Sequence, residues 1–361
     1  SGIFNSRTGV NNTNQFSVGQ DITRSADPAN GSIQKLYAED TNLIIFQEDK
    51  VSKALIDKDA IYSAEGNASI TSSLQVIGQI VAYAGEYGIS TNPESFAVYG
   101  YRKYFTDKKR GAVLRLSRDG MTEISSYGMH DFFRDELADA TKVVGGWNSH
   151  TKDYVLSLQT NSDYKTATFD EGVLGWTSFS SYKPSHIFSL SNVFYTFNQD
   201  VDINNNLGRL YQHYLGPYAK FYGVTYGSDV TIVLNSNPSV VKNFKTINYE
   251  GGPGWELESM VASSTDKTLP IGKYVFQENL ASLENQIWSN TFKKKEDKYF
   301  ANLINNSPAT NGEILYGADM SGIKGFYSTV KMSISPITQF DTSAIKKELF
   351  SVSSDTVESS Y

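Results

Sequence analysis

Short alternating strands dominate the middle of the chain, and they limit its fold more than any other feature. From Val143 to Pro217 the sequence runs through VVGGW, DYVLSL, TATF, GWTSF, HIFSLSNVFYTF and RLYQHYL, with loops rich in Asn, Asp, Gly and Ser between them. Tyr154, Leu156 and Leu158 stand at every second position, which is the period of a strand with one face in a core. Most of these strands also carry a Trp or Tyr. The stretch therefore predicts consecutive antiparallel hairpins, as in a propeller blade or a sandwich.

The same pattern continues on both sides of this stretch. We predict a mainly β fold, propeller-like or sandwich-like, with antiparallel strands and one or two short helices. The clearest helix is HDFFRDELADA, from His130 to Ala140, because its apolar residues Phe133 and Leu137 lie four apart. The segment from Ser69 to Ala84 fits a helix or a strand. A loose repeat at an offset of about 50 residues, within the range of kelch-like blades, supports the propeller interpretation.

Composition along the chain predicts four segments. Residues 1–35 are polar, with a few irregularly spaced apolar anchors, and are expected to form an extended arm that lies on another surface. Residues 36–250 are predicted to form the propeller-like β domain, which ends where three glycines surround Pro253. C-terminal β hairpins over 251–340 and a polar tail or linker over 341–361 complete the prediction. The chain begins Ser-Gly-Ile-Phe, which indicates processing or a longer product.

Charge and cysteine content exclude several classes of function. The 361 residues carry a formal net charge of −7, and this argues against a nucleic-acid-coating surface, which needs clustered Lys and Arg. Cysteine is absent, so disulfides, thiolate metal sites and Cys nucleophiles are ruled out. No apolar run reaches the length of a membrane span, and from the sequence as it stands we expect no signal peptide.

The candidate catalytic and metal motifs are all incomplete. His130, His150, His186 and His213 show no triad or metal-ligand spacing with an acidic partner. Residues Ser117–Thr122 look like a sialidase Asp-box that lacks one spacer and the closing Trp, and such a motif braces a turn. Any pair of carboxylates of the glycosidase type would be visible only in the folded protein. We therefore assign no catalytic, cofactor-binding or metal-binding residue, and expect no enzyme activity and no cofactor.

Two further patterns have a functional and a structural interpretation. Asp200, Asp202, Asn204 and Asn206 alternate as in a calcium loop, but the required Gly and the closing Glu are missing, which favours a solvated hairpin loop. The four tryptophans, Trp147, Trp176, Trp255 and Trp288, are candidates for a sugar-stacking surface. Aromatic rings in strands more often lie in a core. For Trp176, which opens an alternating strand, we expect a ring inside a blade or between sheets.

Several stretches resemble virion structural proteins of tailed bacteriophages. They are ANGSIQKLYAEDTNLIIFQEDKVSKALIDKDAIYSAEGN, then GEYGISTNPESFAVYGYRKYFTDKKRGAVLRLSRDGMTEIS, and later KNFKTINYEG with GEILYGADMSGIKGFYSTVKM. The nearest type is the tail nozzle or muzzle protein of crAss-like and related podoviruses. The resemblance covers most of residues 29–335 and includes no catalytic motif.

This resemblance implies a structural role in a phage tail. The chain would form part of a symmetric ring of its own copies, bound to adjacent tail proteins, that closes or extends the DNA-ejection channel. DNA would pass without specific binding, which suits the acidic charge balance. The expected location is the virion tail, after synthesis in the host cytoplasm. The alternatives are a receptor- or glycan-binding β module of the virion and a glycan-cleaving propeller enzyme.

Overall fold

Two units make up the chain, Ser1–His213 and Tyr214–Tyr361. The computed structural model describes residues 4–11, 14, 24–40, 42–56, 59–62, 68–71, 77–199, 208–262, 275–276, 291–303, 323–335 and 346–359. This described part is mainly β, as the sequence predicts, and its sheets are small and almost entirely antiparallel. Its one α-helix, α1 (His130–Asp139), coincides with the predicted helix.

The first unit consists of consecutive short strands. In chain order they are β1 (Phe4–Asn5), β2 (Val10–Asn11), β3 (Ile33–Glu39), β4 (Asn42–Gln47), β5 (Val51–Ile56), β6 (Asp59–Tyr62), β7 (Ala68–Thr71), β8 (Ile77–Ala82), β9 (Ala97–Tyr99), β10 (Arg102–Asp107), β11 (Ala112–Ser117), β12 (Gly120–Glu123), β13 (Lys142–Asn148), β14 (Asp153–Gln159), β15 (Tyr164–Asp170), β16 (Gly175–Ser180), β17 (His186–Leu190), β18 (Val193–Asn198) and β19 (Arg209–Gln212). Two 3₁₀ turns, Pro28–Asn30 and Pro93–Ser95, precede β3 and β9.

Apart from the pairing of β5 with β8, these strands pair with their neighbours in sequence. Three sheets have four strands each, in the orders β3-β4-β5-β8, β9-β10-β11-β12 and β13-β14-β15-β16. A fourth sheet contains β17, β18 and β19, and β1–β2 and β6–β7 form two separate hairpins. The loose sequence repeat falls on β10–β12 and β14–β16, which are the second to fourth strands of consecutive sheets. The arrangement is loosely propeller-like, and no closed barrel is present among the described strands.

The sheet β9–β12 is buried on both faces. In β10, Tyr104 and Phe105 point to opposite sides, and both are fully buried. Phe105 joins a core cluster with Phe46 of the preceding sheet, whereas Tyr104 joins a second cluster with Tyr154 of the following sheet. Consecutive sheets therefore stack face to face, and burial of these rings is a main source of stability for the unit.

Two adjacent glycines let strand β13 approach its neighbours on both sides. A Cβ on Gly145 would lie 2.0 Å from the Ser95 carbonyl oxygen, and a Cβ on Gly146 would lie 2.2 Å from Ile187 Cγ2. A side chain at Gly145 would have to displace the Ser95 backbone, and one at Gly146 would have to displace the Ile187 side chain close to its Cα. The VVGGW motif is thus required by the close packing of three successive segments.

The second unit contains shorter and less regular strands. They are β20 (Lys220–Phe221), β21 (Val224–Thr225), β22 (Ser228–Leu234), β23 (Lys242–Phe244), β24 (Thr246–Gly251), β25 (Glu256–Ala262), β26 (Val275–Phe276), β27 (Thr291–Lys295), β28 (Lys298–Asn302), β29 (Ile323–Gly325), β30 (Ser328–Ile334), β31 (Leu349–Ser353) and β32 (Thr356–Glu358). They form the sheets β22-β30-β25, β29-β23-β32 and β26-β27-β28-β24-β31, and the hairpin β20–β21.

One hydrophobic core holds this second unit together. Strand β30 alternates strictly, with Val330 and Met332 buried, and packs against Ile247 and Tyr249 of β24. Trp255 joins the same core and donates its Nε1–H to the Glu348 carbonyl at 3.1 Å. This pattern of inward alternation from facing sheets is sandwich-like.

The four segments proposed from composition, with limits at 35, 250 and 340, remain predictions. Among the described residues, no helix has the length and apolar character needed to cross a membrane.

Candidate functional site

Two tyrosines project from a tight turn at one end of the first unit. Strands β9 and β10 are joined through Gly100 and Tyr101, and Gly100 has a φ of 55°. Glycine in the first position of a two-residue turn matches the twist of a hairpin. The turn leaves both tyrosines exposed, by 42% for Tyr99 and 48% for Tyr101. We call Tyr99, Tyr101, Arg102 and Arg118 the tyrosine platform.

Tyr99 is the outermost ring of a stack that continues into the core. Its ring lies parallel to that of Trp147, with centroids 4.2 Å apart and an angle of 11°. Trp147 stacks in turn on Tyr104 at 5.4 Å, and Tyr104 stacks on Tyr154 at 5.0 Å. The Tyr154 hydroxyl donates to the Ser95 carbonyl at 2.7 Å. Each ring fixes the next, so Tyr99 presents a rigid face to solvent.

Charged side chains surround the stack. Glu171 accepts a hydrogen bond of 2.6 Å from the Tyr104 hydroxyl and one of 2.9 Å from Arg115. Burial and the neighbouring Glu171 carboxylate raise the pKa of Tyr104, which therefore stays a neutral donor. Arg102 lies 3.8 Å from the same carboxylate. The Arg118 guanidinium covers the ring of Tyr101 at 3.5 Å, a cation–π contact.

This geometry supports binding. The platform combines flat aromatic faces with guanidinium donors, and the groups have fixed positions. The titratable group nearest the stack, Glu171, already accepts hydrogen bonds from Tyr104 and Arg115. These two bonds hold the Glu171 carboxylate in place beside the stack.

A pair of carboxylates lies on the opposite face of the neighbouring sheet. Asp153 and Asp170 stand directly opposite each other on β14 and β15. Burial raises the pKa of Asp153, and the negative charge of Asp170 raises it further, while a hydrogen bond from Thr151 acts against both. Asp170 accepts a bond of 2.6 Å from the Gly172 amide and so braces the β15–β16 turn. The pair meets one condition for glycan cleavage, because one carboxyl has a raised pKa beside a second.

The four histidines lie apart and in different surroundings. His130 is exposed at the start of α1, with its Nε2 4.0 Å from Glu123. His213 lies 2.7 Å from the Thr196 hydroxyl, and burial lowers its pKa to about 4. The His150 amide donates to Asn148, and the His186 ring lies beside Phe188. No group of three potential metal ligands occurs in the described parts of the chain.

The other sequence motifs have structural surroundings or lie outside the described residues. In the Asp-box-like segment the Ser117 hydroxyl donates to Asp119, which lowers the pKa of that carboxyl and braces the β11–β12 turn. Trp147 and Trp255 are buried in cores, and Trp176 is partly buried. The loop with Asp200, Asp202, Asn204 and Asn206, and also Trp288, lies outside the described residues.

Among the described residues, the exposed aromatic surface at this end is therefore made of tyrosines and not of tryptophans. Sequence reasoning missed Tyr99 and Tyr101, which it placed only within a run of strands. The Gly100 turn between two aromatic residues was the signal that could have indicated them, since a tight hairpin turns its flanking side chains toward solvent.

The far end of the same unit carries an ion-pair network. Asp107 is fully buried and accepts hydrogen bonds from the Gly88 amide, the Ser90 hydroxyl and Arg110. Glu48 accepts from Ser32 and Lys109, which lowers its pKa to about 2. These bonds join the turns of the first two sheets, so the network at this end has a structural role: it holds the two sheets together.

Comparison with known proteins finds a match that lies within the second unit. No curated protein matches the chain. Residues 216–306 match the family model of the Crassvirus muzzle protein C-terminal domain. This domain family indicates a structural role in the virion tail. The match includes strands β20 to β28, and so most of the core around Ile247 and Tyr249. It confirms that the chain resembles the crAss-like muzzle proteins, the family that its sequence indicated.

Proposed function

We propose that the chain is a structural component of the muzzle or nozzle region of a phage tail. In this role it forms a symmetric ring with copies of itself and with adjacent tail proteins, and the ring closes or extends the DNA-ejection channel. The single observation that carries the proposal is the muzzle-domain match over residues 216–306. The mainly β architecture of both units and the absence of cysteine agree with a subunit stabilised by burial and by its neighbours.

The charge of the chain suits this role. A formal net charge of −7 gives the subunit little tendency to hold phosphate groups. Fixed Lys and Arg on a channel wall would retain DNA through release of its counterions, and an acidic balance avoids this. DNA passes the proposed ring without specific contacts. The protein acts in the virion tail after its synthesis in the host cytoplasm.

Imaging of intact particles tests the proposal. Virions carrying the chain with a bulky C-terminal tag are compared with untagged virions by cryo-electron microscopy with symmetry analysis of the tail. We expect extra density repeated regularly around the tail axis, at its distal part. A particle in which the tag maps to the capsid, or in which single copies lie without rotational symmetry, would overturn the ring. As a control for interference by the tag, the copy number of the tagged subunit in virions is measured and should equal that of the parent.

A glycan-cleaving enzyme is the second candidate, because of the Asp153–Asp170 pair. The bonds from Thr151 and Gly172 give the two carboxylates a turn-bracing role that explains their position without catalysis. We therefore keep the structural function, and replacement of Asp153 by Asn tests the pair directly.

A further inference from the structure

The exposed surface of the tyrosine platform is rigid and flat. One face of Tyr99 is covered by Trp147 at 4.2 Å, so the exposed 42% of the residue comprises the opposite face and the ring edge. Tyr101 is held in the same way by Arg118. A pyranose ring has one face made of C–H groups, which packs on an aromatic face and leaves its hydroxyls free for polar partners. Rings that are fixed before binding lose little entropy when the ligand arrives.

The guanidinium groups beside these rings have donors to spare. Glu171 already accepts from Tyr104 and Arg115, and Arg102 approaches it only to 3.8 Å. Arg118 has no hydrogen-bond partner among the described residues and contacts the Tyr101 ring instead. Arginine donors match the geometry of a carboxylate and can bind it through two parallel bonds. The donors of Arg102 and Arg118 that remain available can bind a negative group, although Glu171 and Asp119 lie nearby and the chain as a whole is acidic.

The two turns that form the platform contain no aliphatic side chain. Residues 99–102 read Tyr-Gly-Tyr-Arg, and residues 117–120 read Ser-Arg-Asp-Gly. Aromatic and Arg side chains are also common in protein interfaces, but there they lie in a dry apolar core, for which these two turns supply no aliphatic side chain. A ligand rich in hydroxyls fits it better.

From these three observations we propose that the tyrosine platform binds an acidic saccharide. Tyr99 and Tyr101 stack on its sugar rings, and Arg102 and Arg118 bind its carboxylate. The site belongs to the first unit and goes beyond the proposed ring function. It gives a tail subunit a contact with carboxylated polysaccharide on a cell surface.

Titration of the full chain with matched ligands tests this site. The probes are a short oligogalacturonate, its methyl ester, which has the same rings without the charge, and sialyllactose. Calorimetry measures binding, and tryptophan fluorescence reports on Trp147 under Tyr99. We expect saturable binding of an acidic probe and at least tenfold weaker binding of the ester, a difference of about 1.4 kcal/mol. Tyr99→Ala and Arg118→Ala are each expected to weaken binding of the acidic probe to a similar extent.

Two controls keep the outcome clear. Tyr218→Ala removes an exposed tyrosine of the second unit and should bind like the parent. Arg118→Ala changes a surface side chain, so it tests the site even if Tyr99→Ala unfolds. No saturable binding of either acidic probe overturns the proposal, as does equal binding of acid and ester. Self-association that is abolished by Tyr99→Ala, without saccharide binding, would assign the platform to a second copy of the chain instead. None of these results bears on the imaging of the ring, so the two proposals fail separately.

Discussion

At the residue scale, Asp153 shows how surroundings set the cost of a charge. The residue is 8% exposed and stands between Asn148 and Asp170 across the sheet. Burial disfavours the ionised form, and the facing Asp170 carboxylate adds to this, so the pKa of Asp153 lies above its usual value. A raised pKa means that the folded protein binds this proton more tightly than the unfolded chain does. Stability is therefore lost as pH rises from the usual Asp pKa through the raised one.

Replacing Asp153 by Asn is expected to stabilise the protein at neutral pH. Asparagine has nearly the same shape and keeps an oxygen that accepts the Thr151 hydrogen bond, but it carries no charge to bury. The melting temperature of Asp153→Asn should exceed that of the parent at neutral pH. The difference should shrink as pH falls and vanish below the usual Asp pKa of about 3.9. Thermal denaturation followed by circular dichroism across this pH range measures it.

The matched control is Asp135→Asn, at an exposed residue whose pKa is lowered by Arg134. It should give no stabilisation at neutral pH. The same Asp153 variant separates the structural from the enzymatic function. If the parent hydrolyses bacterial surface polysaccharide and Asp153→Asn loses this activity, the pair is catalytic and the non-enzymatic assignment fails.

At the scale of elements, Trp176 connects strand β16 to α1 and to the sheet β9–β12. Its ring lies 4.4 Å from Phe133 of α1 and 5.3 Å from Phe169 of β15. Its Nε1–H donates to the Ile124 carbonyl at 3.0 Å, just beyond β12. A residue of an edge strand thus links three elements, and its ring lies between sheets as the alternating pattern predicts.

Trp176→Ala is expected to destabilise the first unit by about 3 kcal/mol, the low end of the range for large aromatic residues, because the ring is only partly buried. Trp176→Phe keeps the ring contacts and loses the hydrogen bond, so it should cost about 1 kcal/mol. Urea denaturation of both variants gives the two values. An Ala variant as stable as the parent would mean that the ring does not hold β16 against α1.

Local features could be predicted from the sequence, and long-range ones could not. Helix α1 was predictable because Phe133 and Leu137 are separated by one turn, and the strands were predictable from their period of two. The tyrosine platform depends on Trp147, which is 48 positions from Tyr99 in the chain, and on the β11–β12 turn that carries Arg118. Alternation assigns a tyrosine to one face of a strand, but only the packed neighbour decides whether that face is covered. The Asp153–Asp170 pair depends in the same way on strand register.

At the scale of the whole molecule, the two units show different relations to known proteins. The muzzle-family match lies in the second unit, over residues 216–306. The stacked sheets and the tyrosine platform belong to the first unit. If both proposals hold, the second unit serves assembly of the tail, and the first unit provides the surface that binds a saccharide.

The predicted arm includes residues that are bound to the first sheet. Gln47, which is 2% exposed, donates to the Asp27 carbonyl at 2.8 Å, and the Asp49 amide donates to the Asn30 carbonyl at 3.1 Å. Arg24 donates to the Ile77 carbonyl at 3.2 Å. Residues 24–31 therefore support the β4–β5 turn. A deletion that tests only the arm must end before Arg24.

Deletion of residues 1–23 is expected to leave folding intact and to abolish assembly. The apolar anchors Ile3, Phe4, Val10 and Phe16 are too few to offset an ordering cost of about 1–2 kcal/mol per residue, so an ordered arm needs surface from elsewhere. In a ring of identical subunits that surface belongs to the adjacent copy or to the next layer of the tail. The shortened chain should therefore melt like the parent but be missing from purified virions, as measured by quantitative mass spectrometry. Deletion of residues 1–30 is the matched comparison, because it also removes the Asp27 and Asn30 carbonyls that accept from Gln47 and Asp49, and it should cost about 1–2 kcal/mol. If virions contain the chain lacking residues 1–23 at the parental copy number, the arm is not needed for assembly. The proposal of a ring is then weakened as well.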